Sequence, residues 1–133
     1  MNLGKDTEDV VGCIIFHCNK MLLIKGSGGK WSFPKGRRRE GETPLQGALR
    51  EAKEEAGIDL SDRRPDMTLF LRYGTYYLFN LWRLPDLETP STPEEVLEVA
   101  WHDMKSMEGK EKNADLKFYC KTNKPKKIEV VRA

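Results

Sequence analysis

Cysteine is scarce in this chain: three among 133 residues, at positions 13, 18 and 120. An odd number with no close pair excludes a disulfide-stapled scaffold and a cysteine-rich zinc module. His17 beside Cys18 is the nearest approach to a soft-metal site, and no second ligand pair accompanies it, so the thiols read as buried or incidental. Long apolar runs are missing too. No stretch nears the roughly 20 residues that a membrane-spanning helix needs, and no signal-peptide pattern precedes the first strand, so an intracellular, cytoplasmic chain is expected, with the nucleus an allowed variant. Charge of one sign is not in excess: 23 Lys and Arg against 21 Asp and Glu give +2, which argues neither for nor against a polyanionic partner. No internal repeat is visible.

What is present is an ordinary globular composition, 38% hydrophobic and 33% charged, with enough chain for one core. A single domain is expected, with a core over about residues 10–120 and a basic segment over 121–133. Val10 to Phe16 and Met21 to Lys25 are β-branched or aliphatic runs joined by the polar His17 to Lys20, which predicts a hairpin. Gly26 to Lys30 is glycine-rich, lacks the Lys-Ser/Thr ending of a P-loop, and reads as a flexible connection. Met67 to Tyr73 and Tyr76 to Leu84 are expected to pair about Gly74 and Thr75. Val96 to Trp101 reads as a returning strand after a loop rich in proline and acid. Asn113 is expected to cap a short helix through Cys120, with the Lys-rich end reaching Ile128 to Val131.

The densest information lies between Gly36 and Ile58, in GRRREGETPLQGALREAKEEAGI. Thr43 or Glu42 suits a helix start, Pro44 its first turn and Gly57 the position past its last, so Thr43 to Ala56 reads as one helix. At about 100° per residue, Leu45, Ala48, Leu49, Ala52 and Ala56 gather on one side and Glu51, Glu54 and Glu55 on another. Like charges three and four residues apart repel, so the acidic side needs a positive partner. A plain solvated face neutralised by Arg50 and Lys53 would not call for Gly36 and Glu42 at their offsets. Hard oxygen ligands select Mg²⁺ or Mn²⁺, and Mg²⁺ keeps waters and phosphate oxygens in its shell. The residues themselves thus point to phosphate chemistry.

Gly36, Glu42, Arg50, Glu51, Glu54, Glu55, Gly57 and the aliphatic Ile58 match the signature box of the Nudix hydrolases at every fixed position. Chance would produce such a pattern in roughly one chain of this length in a million. The resemblance implies an α/β fold, an α/β/α sandwich with a mixed β-sheet between helices. It implies Glu51, Glu54 and Glu55 as metal ligands with the Gly36 carbonyl, Arg50 orienting the carboxylates, and Glu42 holding Arg50 or the loop. Trp31 to Gly36 is similar to the segment before the box in two branches, the dinucleoside polyphosphate hydrolases and the mRNA decapping enzymes. Glu95, six positions before Trp101, stands where both branches place a general base or further metal ligand. Glu51, Glu54 and Glu95 all stay candidates for the base, with Glu98 as fallback.

The reaction so implied is attack of a metal-activated water on one phosphorus of a pyrophosphate linkage, a carboxylate taking the proton. The expected partner is a small-molecule nucleotide, or RNA for a decapping enzyme. Lys35 and Arg37, with Arg38 and Arg39, are candidates for a phosphate chain, an inositol polyphosphate or RNA; a solvated loop is their plain alternative. Trp31 and Tyr77 are candidates for stacking on a base, against core packing. A small dinucleoside polyphosphate such as diadenosine tetraphosphate is ranked first, since the chain is short for the larger decapping enzymes, with mRNA cap hydrolysis or diphosphoinositol polyphosphate hydrolysis as the alternatives. A Nudix-fold sensor that binds without cleaving is the reading from another class, disfavoured because the box is intact.

Overall fold

The computed structural model describes residues 4–91 and 94–123. The acidic loop's Thr92 and Pro93 and the expected segment Ile128 to Val131 lie outside them. Strand β1 (Asp6–His17) turns through Cys18 and Asn19 into β2 (Lys20–Gly26). Both turn residues have positive φ, 50° and 62°, the conformation that matches a two-residue hairpin loop to strand twist. Short strands β3 (Trp31–Ser32) and β4 (Lys35–Arg39) follow, then helix α1 (Pro44–Ala56), the paired β5 (Met67–Phe70) and β6 (Thr75–Asn80), β7 (Val96–His102) and helix α2 (Ala114–Thr122).

The seven strands form one mixed sheet in which β1 runs parallel to β6 and antiparallel to β2 and β4. Between β1 and β2 the sheet divides. The two pair only at Phe16–Met21 and His17–Lys20, beside the turn. Farther on, β3 pairs with β2 while β4 pairs with β1, so residues 31–39 fill the opening. A backbone hydrogen bond of 3.0 Å from Cys13 N–H to the Pro34 carbonyl fastens that insert.

Alternation along β1 and β2 sends side chains to two cores, one on each face. Val11, Cys13, Ile15, Leu22 and Ile24 pack under Ala48, Ala52 and Ala56 of α1, with Leu45 and Leu49 at the margin. Ile14, Met21 and Leu23 pack with Phe33, Tyr76, Leu116 and Tyr119 on the α2 side. The result is the expected sandwich of a mixed sheet between two helices. Helix α1 begins at Thr43, whose hydroxyl accepts from Gln46 N–H while the Gln46 side chain accepts from Thr43 N–H; it ends at Gly57, left-handed at φ 69°.

Two expectations change. The Met67 strand stops at Phe70, because Leu71 to Gly74 form a turn closed by Leu71 N–H to the Gly74 carbonyl at 2.9 Å, and the second strand runs from Thr75 only to Asn80. β4 is an unforeseen strand. Its sequence Lys-Gly-Arg-Arg-Arg has no apolar residue, and its extended form is imposed by the ladder to β1.

Candidate active site

A cleft of about 370 Å³ opens where β4 meets the acidic side of α1. Glu51, Glu54 and Glu55 reach it from α1, Glu95 from the turn before β7, and Lys35, Gly36 and Arg37 from β4. Burial of Ala48, Ala52 and Ala56 fixes the rotation of α1, so the flank that carries Glu51, Glu54 and Glu55 turns toward β4. The insert in the divided sheet then brings β4 up against them. A Cβ at residue 36 would overlap the Glu51 carboxylate, so glycine lets β4 come this close with Glu51 left in place.

Arg50 organises the acids. Its Nε and Nη2 donate to the two oxygens of Glu42 at 2.7 and 3.0 Å, a bidentate pair. Its Nη1 donates to Glu51 Oε1 at 2.8 Å and Glu54 Oε2 at 3.1 Å, and Nη2 also reaches the Arg37 carbonyl at 3.0 Å. Glu42 additionally accepts from Arg39 N–H at 2.8 Å, so it ties Arg50 to the β4 backbone. The Arg50 hydrogen bond holds the Glu42 carboxyl below its ordinary range. Glu51 is displaced upward by burial, despite Arg50. Glu55 is pushed up to about 7, first by burial and then by the Glu51 charge, although Lys35 N–H donates to its Oε1 at 2.8 Å. Among the described residues no three acidic, histidine or cysteine side chains close about one point; the Arg50 guanidinium lies between Glu51 and Glu54 instead.

Glu95 is exposed at its side chain and held by its backbone, whose carbonyl accepts from Ser27 N–H at 3.1 Å. Glu98, the fallback, lies within β7 opposite Lys25 and is not part of the cleft wall. Arg39 also lines the cleft, 3.7 Å from Glu54, whereas Arg38 turns away to Asp9 at 2.8 Å. Asp6, which sequence reasoning passed over, lines it as well. It pairs with Arg39 at the polar start of β1, beyond the apolar run that marked the strand.

Two substrate-binding candidates fall elsewhere. Trp31 is 4% exposed, its ring edge-on to His102 at 4.5 Å in the α2-side core. Its indole packs the fold and presents no face to a ligand. Tyr77 packs against the α1-side core and is absent from the cleft wall, because β6 sends it to the same face as Cys13 and Phe79. The Gly26–Lys30 connection is a closed turn, with Gly26 N–H bonded to the Lys30 carbonyl at 3.0 Å and Gly29 N–H to the Gly26 carbonyl at 2.9 Å.

A sandwich of this topology with a glycine strand against a carboxylate helix defines a class, and the NUDIX domain model matches residues 6–122. The chain belongs to the Nudix hydrolase family. Over 130 residues it is 29% identical to the m7GpppN-mRNA hydrolase of Saccharomyces cerevisiae, covering 86% of this chain and 13% of the yeast protein. Over 42 residues it is 52% identical to the asymmetrical bis(5'-nucleosyl)-tetraphosphatase of Sus scrofa, covering 30% of this chain and 29% of that one. The fold superposes on a C. elegans Ap4A hydrolase binary complex with a TM-score of 0.69 at 24% identity, over 86% of this chain and 94% of the other.

Proposed function

We propose that this chain hydrolyses, with a divalent cation, a phosphoanhydride bond in a polyphosphate that bridges two nucleosides. One observation carries the reading: five carboxylates and a close-approach glycine share a single cleft with Lys35 and Arg37. The donor set is all oxygen, which suits Mg²⁺ or Mn²⁺. The missing Cβ at Gly36 leaves its backbone open to the Glu51 carboxylate, and burial leaves Glu55 wanting a cation beside it. Glu51, Glu54 and Glu55, with the Gly36 carbonyl, would hold the ion. Once bound, it supplies charge neutralisation on phosphate oxygens and a lowered pKa for the attacking water.

The remaining steps belong to side chains. Lys35 and Arg37 receive the phosphate oxygens, with Arg37 suited to a bidentate grip. Arg50 keeps Glu51 and Glu54 in place through its three-way hydrogen bonding. Glu95, on the opposite wall, takes the proton from the attacking water, a role worth typically about 10² to 10⁴ in rate.

A capped RNA end and a free dinucleoside polyphosphate share this bridging chemistry. Capped RNA now ranks above the small dinucleotide on one ground: the likeness to the yeast decapping enzyme runs over 86% of the chain, against 30% for the pig tetraphosphatase. The test offers cap-labelled RNA and diadenosine tetraphosphate with Mg²⁺, Mn²⁺ or EDTA, and the products are separated. Cation-dependent release of the cap nucleoside with its share of the bridging phosphates, faster than cleavage of the dinucleotide, supports the ranking. Turnover of neither substrate with either cation refutes the function.

A further inference from the structure

The glycine-rich turn after β2 is left without a role by the chemistry above. It borders a second recess, of about 250 Å³, whose wall includes Gly28, Lys30 and Asn113. Lys35, Glu55 and Glu95 line this recess and the cleft alike, so the two are one continuous depression. A Cβ built at Gly28 meets nothing within 4 Å. Gly28 thus lines the recess with no side chain of its own and with open space around it, and a ligand can approach its backbone without displacing a side chain.

We infer that this recess takes the second sugar–phosphate arm of the substrate, the part lying beyond the bond that is cut. The inference rests on the hydrolytic reading above and narrows it to substrates that continue past the reacting phosphates. Size limits the occupant: about 250 Å³ is under the roughly 300 Å³ at which pockets begin to enclose drug-sized ligands, so it fits one sugar–phosphate unit and leaves the base outside. Chemistry agrees. Lys30 and Lys35 offer compact cationic charges to a phosphate, and the Asn113 amide offers hydrogen-bond donors to sugar hydroxyls. The recess also touches the base candidate, since Ser27 N–H of the same turn holds the Glu95 carbonyl at 3.1 Å. An arm seated there lies against the turn that steadies Glu95.

The experiment compares diadenosine tetraphosphate, which has two arms, with adenosine tetraphosphate, which has one, in Gly28→Ala, Gly28→Leu and Lys30→Gln. The expected result is graded by bulk: Gly28→Leu raises KM for the dinucleotide about tenfold or more and Gly28→Ala by less than about threefold, while kcat stays within about twofold. Lys30→Gln raises the same KM, and KM for adenosine tetraphosphate stays near wild type throughout. If Gly28→Leu fails to melt cooperatively, Lys30→Gln and Gly28→Ala decide alone. Equal KM changes for both substrates overturn the inference, as does no change for either. A fall in kcat for both overturns it in favour of a turn that only supports Glu95. Wild-type protein that cleaves neither compound overturns the inference, and if it leaves cap-labelled RNA intact as well, the hydrolytic reading falls with it.

Discussion

Replacing Glu55 with glutamine should stabilise the cation-free protein at neutral pH while removing its response to divalent ions. Glutamine keeps the side chain's size and retains an oxygen to accept the Lys35 N–H hydrogen bond, so the charge is the main change. In the folded chain the Glu55 carboxyl titrates at about 7 instead of its ordinary 4.5. Between those values the folded state keeps a proton that the unfolded state has released, so stability falls as pH rises. The contribution is whole below 4.5 and lost above 7. At about 1.4 kcal/mol per pH unit the loss is about 3 kcal/mol, less whatever Glu51 recovers by moving away. For a chain of this size that is about 10 °C in Tm. The assay is thermal unfolding of wild type and Glu55→Gln in EDTA from pH 4.5 to 8.5, repeated with Mg²⁺. The difference between the proteins should grow with pH and flatten above 7, and saturating Mg²⁺ at about 100 Kd should stabilise wild type alone by about 2.7 kcal/mol. Curves that run parallel in EDTA refute the burial argument; equal stabilisation by Mg²⁺ refutes the ligand assignment.

Glu95→Gln should lower kcat by about 10² to 10⁴ with little change in substrate affinity, and higher pH should partly restore the rate. Wild-type turnover in that variant, with collapse in Glu51→Gln, moves the base to the helix. Gly36→Ala should abolish turnover by driving its methyl into the Glu51 carboxylate, and should weaken Mg²⁺ binding measured by calorimetry; unaltered binding would show that Glu51 relocates freely. Trp31→Ala should cost about 3 to 5 kcal/mol in urea unfolding, as for other buried tryptophans, and leave KM of the residual folded protein near wild type.

The helix and its carboxylates were readable because their signals are local. Thr43, Pro44 and Gly57 mark the ends of α1, and a single period decides which residues share a face. Glu95 is a different case, since its place across from α1 depends on the ladder between β2 and β7. Only the family offset to Trp101 made it a candidate. β4 and Asp6 were missed for a common physical reason: both are extended by partners more than 20 residues away, with no apolar alternation of their own. Trp31 and Tyr77 show the converse limit. Aromatic character marks a ring worth burying or stacking, and the choice between them is made by the face to which its strand turns it.

The division of the sheet between β1 and β2 also governs the order in which the molecule can assemble. The hairpin closes through a two-residue turn and can form within microseconds, whereas Val11 meets Thr75 only after more than 60 residues have been looped back. The insert of residues 31–39 needs both edges of the opening before it can seat, and the Gly36 strand belongs to that insert. The cleft is therefore complete only when this insert has seated between them. A chain in which the hairpin has closed and the insert has not seated leaves Glu51, Glu54 and Glu55 without the β4 wall beside them.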